Sequence, residues 1–364
     1  MKTFATVKPL YIWIYISLLF GLIACNAPRT IDKEIYIPVE RSMLYLRLAG
    51  NAKAPVILML HGGPGAFSGL DHVFYEAPVE PDYLVAYLDQ RGSGKSPACP
   101  DSTLLNMNQF VKDLDIVVDR LRQMYPDRKI NLLGTSWGGT YGLLYLLKHP
   151  GKINAFACVS GKGDSQYENE ALIAYEMQLA HNKLAQTQDR ATKDTLNQIV
   201  SKLTQIKNSS FDQFFADMNL IKHQFPKTLG FDPYWANMEA KQEARKLGTD
   251  SGYFAKAHYN LASFDTVVEK MEYVNRVFRN TPAYNHLNLL SQLSKIKTPV
   301  AVIQGELDHV VGPGQGQRIF DALTGLSKEK KEIHIIPGAA HNLNLEAPAA
   351  YYSTLKTFLA KYNP

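Results

Sequence analysis

Ser136 lies in Gly134-Thr135-Ser136-Trp137-Gly138-Gly139, after the apolar run Ile130-Asn131-Leu132-Leu133 and before a stretch of helical composition from Tyr141 to Lys148. A serine held between two glycines at a strand-to-helix junction can act as a nucleophile. The chain must leave the strand, turn sharply and enter the helix with the serine at the apex. A Cβ at Gly134 or Gly138 would crowd that turn. The apex hydroxyl would then stand in the open, at the positive end of the following helix. Gly-x-Ser-x-Gly also arises by chance in 364 residues, so the rest of the chain must decide.

A serine hydroxyl needs a base to take its proton, and the base needs an acid to orient it. Behind this kind of turn the acid and then the histidine follow in chain order. Asp308 stands in Gln304-Gly305-Glu306-Leu307-Asp308, after the apolar run that starts at Val300. His341 stands in Pro337-Gly338-Ala339-Ala340-His341, after the run Glu332 to Ile336. Both fall on loops at strand C-terminal ends, as Ser136 does, so the three can converge. Glu306 is the rival acid, placed earlier in its turn. His309, beside Asp308, reads as incidental. Acyl transfer also needs backbone N–H donors for the developing oxyanion. Trp137 follows the serine and offers one, and the loop His61-Gly62-Gly63-Pro64-Gly65 offers another.

These residues need a scaffold. Glu34–Pro38 and Leu44–Leu48 alternate like half-buried strands, whereas Val56–Leu60 and Tyr83–Leu88 are continuous apolar runs of the buried parallel type. Asn108 to Met124 carries Phe110, Val111, Leu114, Val117, Val118 and Leu121 at helical spacing. A strand at Ile130–Leu133, a helix at Gly139–Lys148 and a strand at Ile153–Val159 complete a βαβ alternation. The fold class is α/β, with a mostly parallel, doubly wound sheet. From Asp164 to about Leu293 the sequence is helical and lacks buried-strand runs. Strands resume at Val300–Gln304 and Glu332–Ile336, with helices near Gly316–Leu323 and Pro348–Lys361. The helical insertion would sit over the site as a lid. The expected organisation is a core at 34–163 and 296–364, with the lid at 164–295.

The order His61-Gly62-Gly63-Pro64-Gly65, Asp89-Gln90-Arg91-Gly92-Ser93-Gly94-Lys95-Ser96 and Gly134-x-Ser136-Trp137-Gly138-Gly139 resembles the proline iminopeptidase branch of the α/β-hydrolase fold. The resemblance covers roughly residues 34 to 160 and 296 to 361. It implies Ser136 as nucleophile, His341 as base and Asp308 as orienting acid. It implies the Gly63 and Trp137 amides as the oxyanion hole, with the 89–96 segment bracing the loop. It further implies release of N-terminal residues from short peptides. An ester or lactone hydrolase needs the same machinery without an amine-binding carboxylate, and a binding protein on a hydrolase scaffold is a remote third reading. Many family members carry Trp-Glu-Gly in the lid to hold the substrate amine; this lid has only Tyr234-Trp235-Ala236 around its single Trp. Glu168, Glu170 and Glu176 are the substitutes on offer. On a helix Glu168 and Glu176 lie about 80° apart and Glu170 points elsewhere. All three serve equally as solvated-face residues.

Lys2 and Lys8, an apolar stretch from Pro9 to Ala24 and Leu22-Ile23-Ala24-Cys25 describe an export signal over residues 1–24. The stretch is short of the ~20 residues that span a bilayer. Cys after Leu-Ile-Ala resembles a bacterial lipobox, which implies cleavage before Cys25 and lipid on its sulfur and amine. Residues 25–33 would be a tether. Asn26, where Asp would retain the protein at the inner membrane, favours the periplasmic side of the outer membrane.

Losing Lys2 and Lys8 takes the formal charge from +5 to +3. That is too little and too scattered for nucleic acid. Gly92-x-Gly94-Lys95-Ser96 resembles a phosphate loop, but position 89 is Asp rather than Gly, which excludes nucleotide binding. No zinc or calcium spacing occurs, so no cofactor or metal is expected, and no obligate protein partner. Cys158, in an apolar run, reads as a core residue.

Overall fold

The computed structural model describes residues 30–209, 217–247, 250–259 and 264–363. The expected signal peptide, Cys25 and the start of the tether lie outside the described residues.

Eight strands form one sheet: β1 Thr30–Val39, β2 Ser42–Asn51, β3 Val56–Leu60, β4 Leu84–Leu88, β5 Ile130–Thr135, β6 Phe156–Val159, β7 Val300–Gly305 and β8 Lys331–Ile336. Their order across the sheet is β1-β2-β4-β3-β5-β6-β7-β8. The first two pairings, β1–β2 and β2–β4, are antiparallel and the rest parallel. Every residue of β3, β4, β6 and β7 is buried. That is why those segments read as unbroken apolar runs: a parallel sheet covered on both faces has no solvent side to pattern. β1 begins at Thr30, so the last residues of the expected tether are instead edge strand.

The principal helices are α1 Gly69–Tyr75, α2 Met107–Met124, α3 Trp137–Lys148, α4 Ser165–Gln186, α5 Arg190–Lys207, α6 Met238–Leu247, α7 Phe264–Arg279, α8 Gln315–Ala322 and α9 Pro348–Tyr362. The periodic positions of α2, from Phe110 to Leu121, are all buried. Its first turn is capped by Asn106 Oδ1, which accepts from the Gln109 N–H at 2.9 Å. Asp164 caps α4 by accepting from the Gln166 and Tyr167 amides. Within it α4 and α5 share a core of their own around Ile173, Leu196, Ile199 and Leu203. By contrast, α7 sends Val274 and Phe278 into the main core beside Phe110 and Trp137. Cys158 is fully buried and Cys99 buried, and both are free thiols.

Candidate active site

Ser136 joins β5 to α3 with φ 55° and ψ −119°, a left-handed backbone that non-glycine residues rarely hold. Neighbouring chain enforces it. A Cβ on Gly134 would meet the Gly138 carbonyl oxygen at 2.2 Å, and one on Gly138 the Leu60 oxygen at 2.0 Å. The Ser136 N–H is fixed to the Val159 oxygen at 2.8 Å. The hydroxyl is thereby held at the C-terminal edge of the sheet.

Asp308 and His341 follow β7 and β8 to the same edge. His341 Nδ1 lies 2.9 Å from Asp308 Oδ2. The other Asp308 oxygen accepts from the Val310 and Val311 amides at 3.0 and 3.3 Å. These bonds fix the carboxylate that orients the imidazole. Glu306, the rival acid, instead accepts from the Gly338 N–H at 2.9 Å and braces the turn before His341. His309 stacks on Tyr175, ring centroids 3.7 Å apart, and stays out of the pair. Ser136 and His341 line one cavity of about 470 Å³. Among the described residues no hydrogen bond joins them; such contacts tighten when substrate binds.

Above the serine runs the 61–65 loop. A Cβ on Gly62 would lie 3.3 Å from the Ser136 Cβ, so this backbone passes directly over Ser136. Gly63 has φ 115°, which favours glycine. Gln90 ties the loop to α3: its Nε2 donates to the His61 oxygen at 2.8 Å, and its Oε1 accepts from Trp137 Nε1 at 2.9 Å. The Trp137 N–H opens α3, where helix amides lack intrahelical partners. Asp89 takes the Ser68 N–H and hydroxyl on one oxygen, and the Lys95 N–H and Tyr259 hydroxyl on the other. The 89–96 segment is thus a brace. A hydroxyl, an imidazole backed by a carboxylate and amides at a helix start can together carry out acyl transfer.

Residues 55–348 match the model of the alpha/beta hydrolase fold. The chain belongs to the alpha/beta hydrolase fold family. It is 24% identical over 316 residues to the proline iminopeptidase of Heyndrickxia coagulans, spanning 85% of this chain and 92% of that one. Among solved structures it is similar to a proline iminopeptidase-related protein from Thermus thermophilus, with TM-score 0.60 and 20% identity over 92% of this chain and 99% of that one. An esterase of Exiguobacterium antarcticum matches with TM-score 0.55 and 16% identity, over 90% of this chain and 100% of that one. The protein is a hydrolase.

This hydrolase does not bring the expected lid glutamates to the cavity that holds Ser136 and His341. Glu168 and Glu176 are buried rather than solvated, because α4 is covered on more than one side. Glu168 pairs with Lys162 at 3.0 Å and with Lys222. Burial would raise its carboxyl, but the two ammonium groups outweigh that and hold it at about 2. Glu176 makes no hydrogen bond among the described residues, and burial pushes its carboxyl up to about 9. Glu170 is exposed, bonded to Gln166, on the wall of a separate cavity of about 560 Å³.

Among the described residues the acidic and basic side chains on this cavity, besides His341, are Asp71 and Arg279, neither singled out by the sequence. Asp71 lies in the first turn of α1, and burial together with the nearby Asp89 raises its carboxyl to about 7. Tyr234 and Trp235 close the lid side. The Tyr234 oxygen accepts from the His341 N–H at 3.3 Å and from Asn342 Nδ2 at 3.0 Å. Glu346 holds the same strap by accepting from the Ala236 and Asn237 amides at 2.6 and 2.9 Å. The His341 loop and the lid are therefore one hydrogen-bonded unit.

Proposed function

We propose that this hydrolase is an aminopeptidase that releases the N-terminal residue of short peptides through an acyl-enzyme on Ser136. The observation that carries the reading is Ser136, held on a positive-φ turn, sharing one cavity with a His341 whose Nδ1 is bonded to Asp308. Ser136 Oγ attacks the carbonyl carbon while His341 Nε2 takes its proton. Asp308 holds the imidazole in that tautomer and stabilises the imidazolium. The Gly63 and Trp137 amides receive the oxyanion. His341 then protonates the leaving amine, and water releases the acyl group by the reverse route. Asp71 supplies a carboxyl on the cavity wall; the charge of a substrate ammonium would lower its pKa, so that Asp71 releases its proton to water and pairs with the amine as a carboxylate. The name of the Heyndrickxia relative makes proline the first residue to try.

The test is hydrolysis of proline and alanine para-nitroanilides beside para-nitrophenyl acetate and butyrate, with Ser136→Ala as blank. Amide cleavage lost on N-acetylation of the substrate supports the aminopeptidase. Ester cleavage alone turns the reading to a carboxylesterase or lactone hydrolase, which the absence of Glu168, Glu170 and Glu176 from the cavity walls favours. A folded protein that no fluorophosphonate labels would be a binding protein on this scaffold.

We also propose that Cys25 carries a lipid anchor at the outer membrane, on the strength of Leu22-Ile23-Ala24-Cys25 and Asn26. No helix of the described residues is long and apolar enough to cross a membrane. Mass spectrometry of membrane-extracted protein should find an acylated Cys25 at the N-terminus; an unmodified soluble N-terminus refutes the anchor.

A further inference from the structure

We propose that Arg279 determines specificity in the catalytic cavity by binding a carboxylate carried by the substrate, an inference that rests on reading this cavity as the hydrolase site. Arg279 ends α7, which is anchored in the main core by Val274 and Phe278. Its carbonyl oxygen accepts from Asn285 Nδ2 at 2.7 Å, so the backbone behind the side chain is fixed. The side chain faces two spaces at once. One is the catalytic cavity with Ser136 and His341; the other is a space of about 20 Å³ lined by Lys162, Glu168 and Lys222.

The charges around it do not balance. Lys162 and Lys222 both hold the Glu168 carboxylate, leaving Arg279 as a third cation beside one carboxylate already shared. Tyr284, Tyr234 and Glu168 are the acidic groups near Arg279, and among the described residues no ion pair closes on the guanidinium. Its Nε is buried and without a hydrogen-bond partner among the described residues. An arginine is permanently charged and carries five donors in a planar fork. A buried donor left unpaired costs roughly 1–3 kcal/mol, so native proteins usually satisfy it. The fork matches a carboxylate through two parallel bonds. Asp71 lines the same cavity, but no ion pair joins it to Arg279 among the described residues, and its carboxyl responds to burial and Asp89. A single guanidinium, with a carboxyl on the same cavity wall, suits a monoanion better than a phosphate dianion. The cavity therefore accepts a short substrate with a carboxylate at the Arg279 end, either the C-terminus of a dipeptide or a carboxylate on the acyl group.

Two substrate pairs separate those sources. Alanyl-glycine is compared with alanyl-glycinamide, and mono-para-nitrophenyl glutarate with para-nitrophenyl butyrate, in the wild type, Arg279→Gln and Arg279→Lys. In the wild type the acid of one pair should exceed its neutral partner in kcat/KM by about 10- to 100-fold, mainly through KM. Arg279→Gln should bring that ratio close to one, and Arg279→Lys should keep part of it. The pair that responds locates the carboxylate on the leaving-group or the acyl side. Ratios near one for both pairs in the wild type, or a ratio that Arg279→Gln leaves intact, overturn the proposal. Calorimetric titration of Ser136→Ala with glutarate and with glutaramide reads the subsite without turnover. Adding Arg279→Gln should weaken glutarate binding at least about tenfold. Arg279-dependent glutarate binding with no turnover of any substrate keeps the subsite and sinks the hydrolase mechanism. Turnover with no preference for the acid does the reverse. Since no hydrogen bond or ion pair among the described residues holds the guanidinium, both variants should fold, which near-UV circular dichroism checks.

Discussion

Arg91 and Arg279 are both drawn into the protein, one beneath the core and one beneath the lid. Arg91 gives Nε and Nη2 to Asp113 at 2.7 and 2.8 Å and reaches the Glu40 oxygen at 3.0 Å. Arg279 has no such partner among the described residues. The carboxylates differ in the same way. Asp89 in the core loop accepts four donors, whereas both Glu176 oxygens in the lid accept none among the described residues. The core segments beside Ser136 are fixed by bonds internal to the protein, which holds reacting groups still. Lid polar groups left without partners retain bonding capacity that a ligand can use.

Substitutions can break or sharpen that contrast. The largest effect belongs to Ser136→Ala, which should lower kcat/KM by about 10⁴-fold or more in the hydrolysis assay. Glu170→Gln on the lid, outside the catalytic cavity, should change it by less than about threefold. If Glu170→Gln costs as much as Ser136→Ala, the division between core and lid fails.

Next is backbone crowding. Gly138→Ala places a Cβ 2.0 Å from the Leu60 oxygen and should cost about 4 kcal/mol in urea denaturation. Gly230→Ala in the lid, whose Cβ would meet nothing nearer than Lys183 Nζ at 3.8 Å, pays only for its φ of 73°, about 1–2 kcal/mol. Glu168→Gln comes third. It leaves Lys162 and Lys222 without their counter-charge and should cost about 3 kcal/mol, read as a lower urea midpoint.

The last effect is a slope in pH rather than a single cost. Glu176 keeps its proton in the folded protein up to about 9, while the unfolded chain loses it near the ordinary value of 4.5. Between those values the folded state binds the extra proton, so wild-type stability falls as pH rises. The loss is at most about 1.4 kcal/mol per pH unit. Glu176→Gln removes this slope, so the Tm of the variant should match the wild type near pH 5 and rise above it towards pH 9. Parallel Tm curves would show that Glu176 is ionised or paired.

All eight strands were legible within a few residues: the buried parallel β3, β4, β6 and β7 leave apolar runs, and the antiparallel β1 and β2 showed through alternation. The seven-residue helix α1 was not, being too short for a period of 3.6 to show, and Asp71 was missed with it. The burial of Glu168 and Glu176 was also hidden. Their spacing along α4 fits a solvated stripe, and what covers that stripe arrives from elsewhere: Lys222 lies 54 residues from Glu168.

The sequence by itself determined the α/β order, the Ser136 turn and the loops bearing Asp308 and His341. Glycine conformation and strand-end position act within a few residues, so neighbours in the chain encode them. Only the tertiary structure decided which charges meet. It bonded His341 to Asp308 rather than Glu306, gave Glu168 to two lysines, and turned Asp71 and Arg279 toward the serine. Coulomb interactions and desolvation depend on distance and burial, and for residues far apart in the chain neither is written in local spacing.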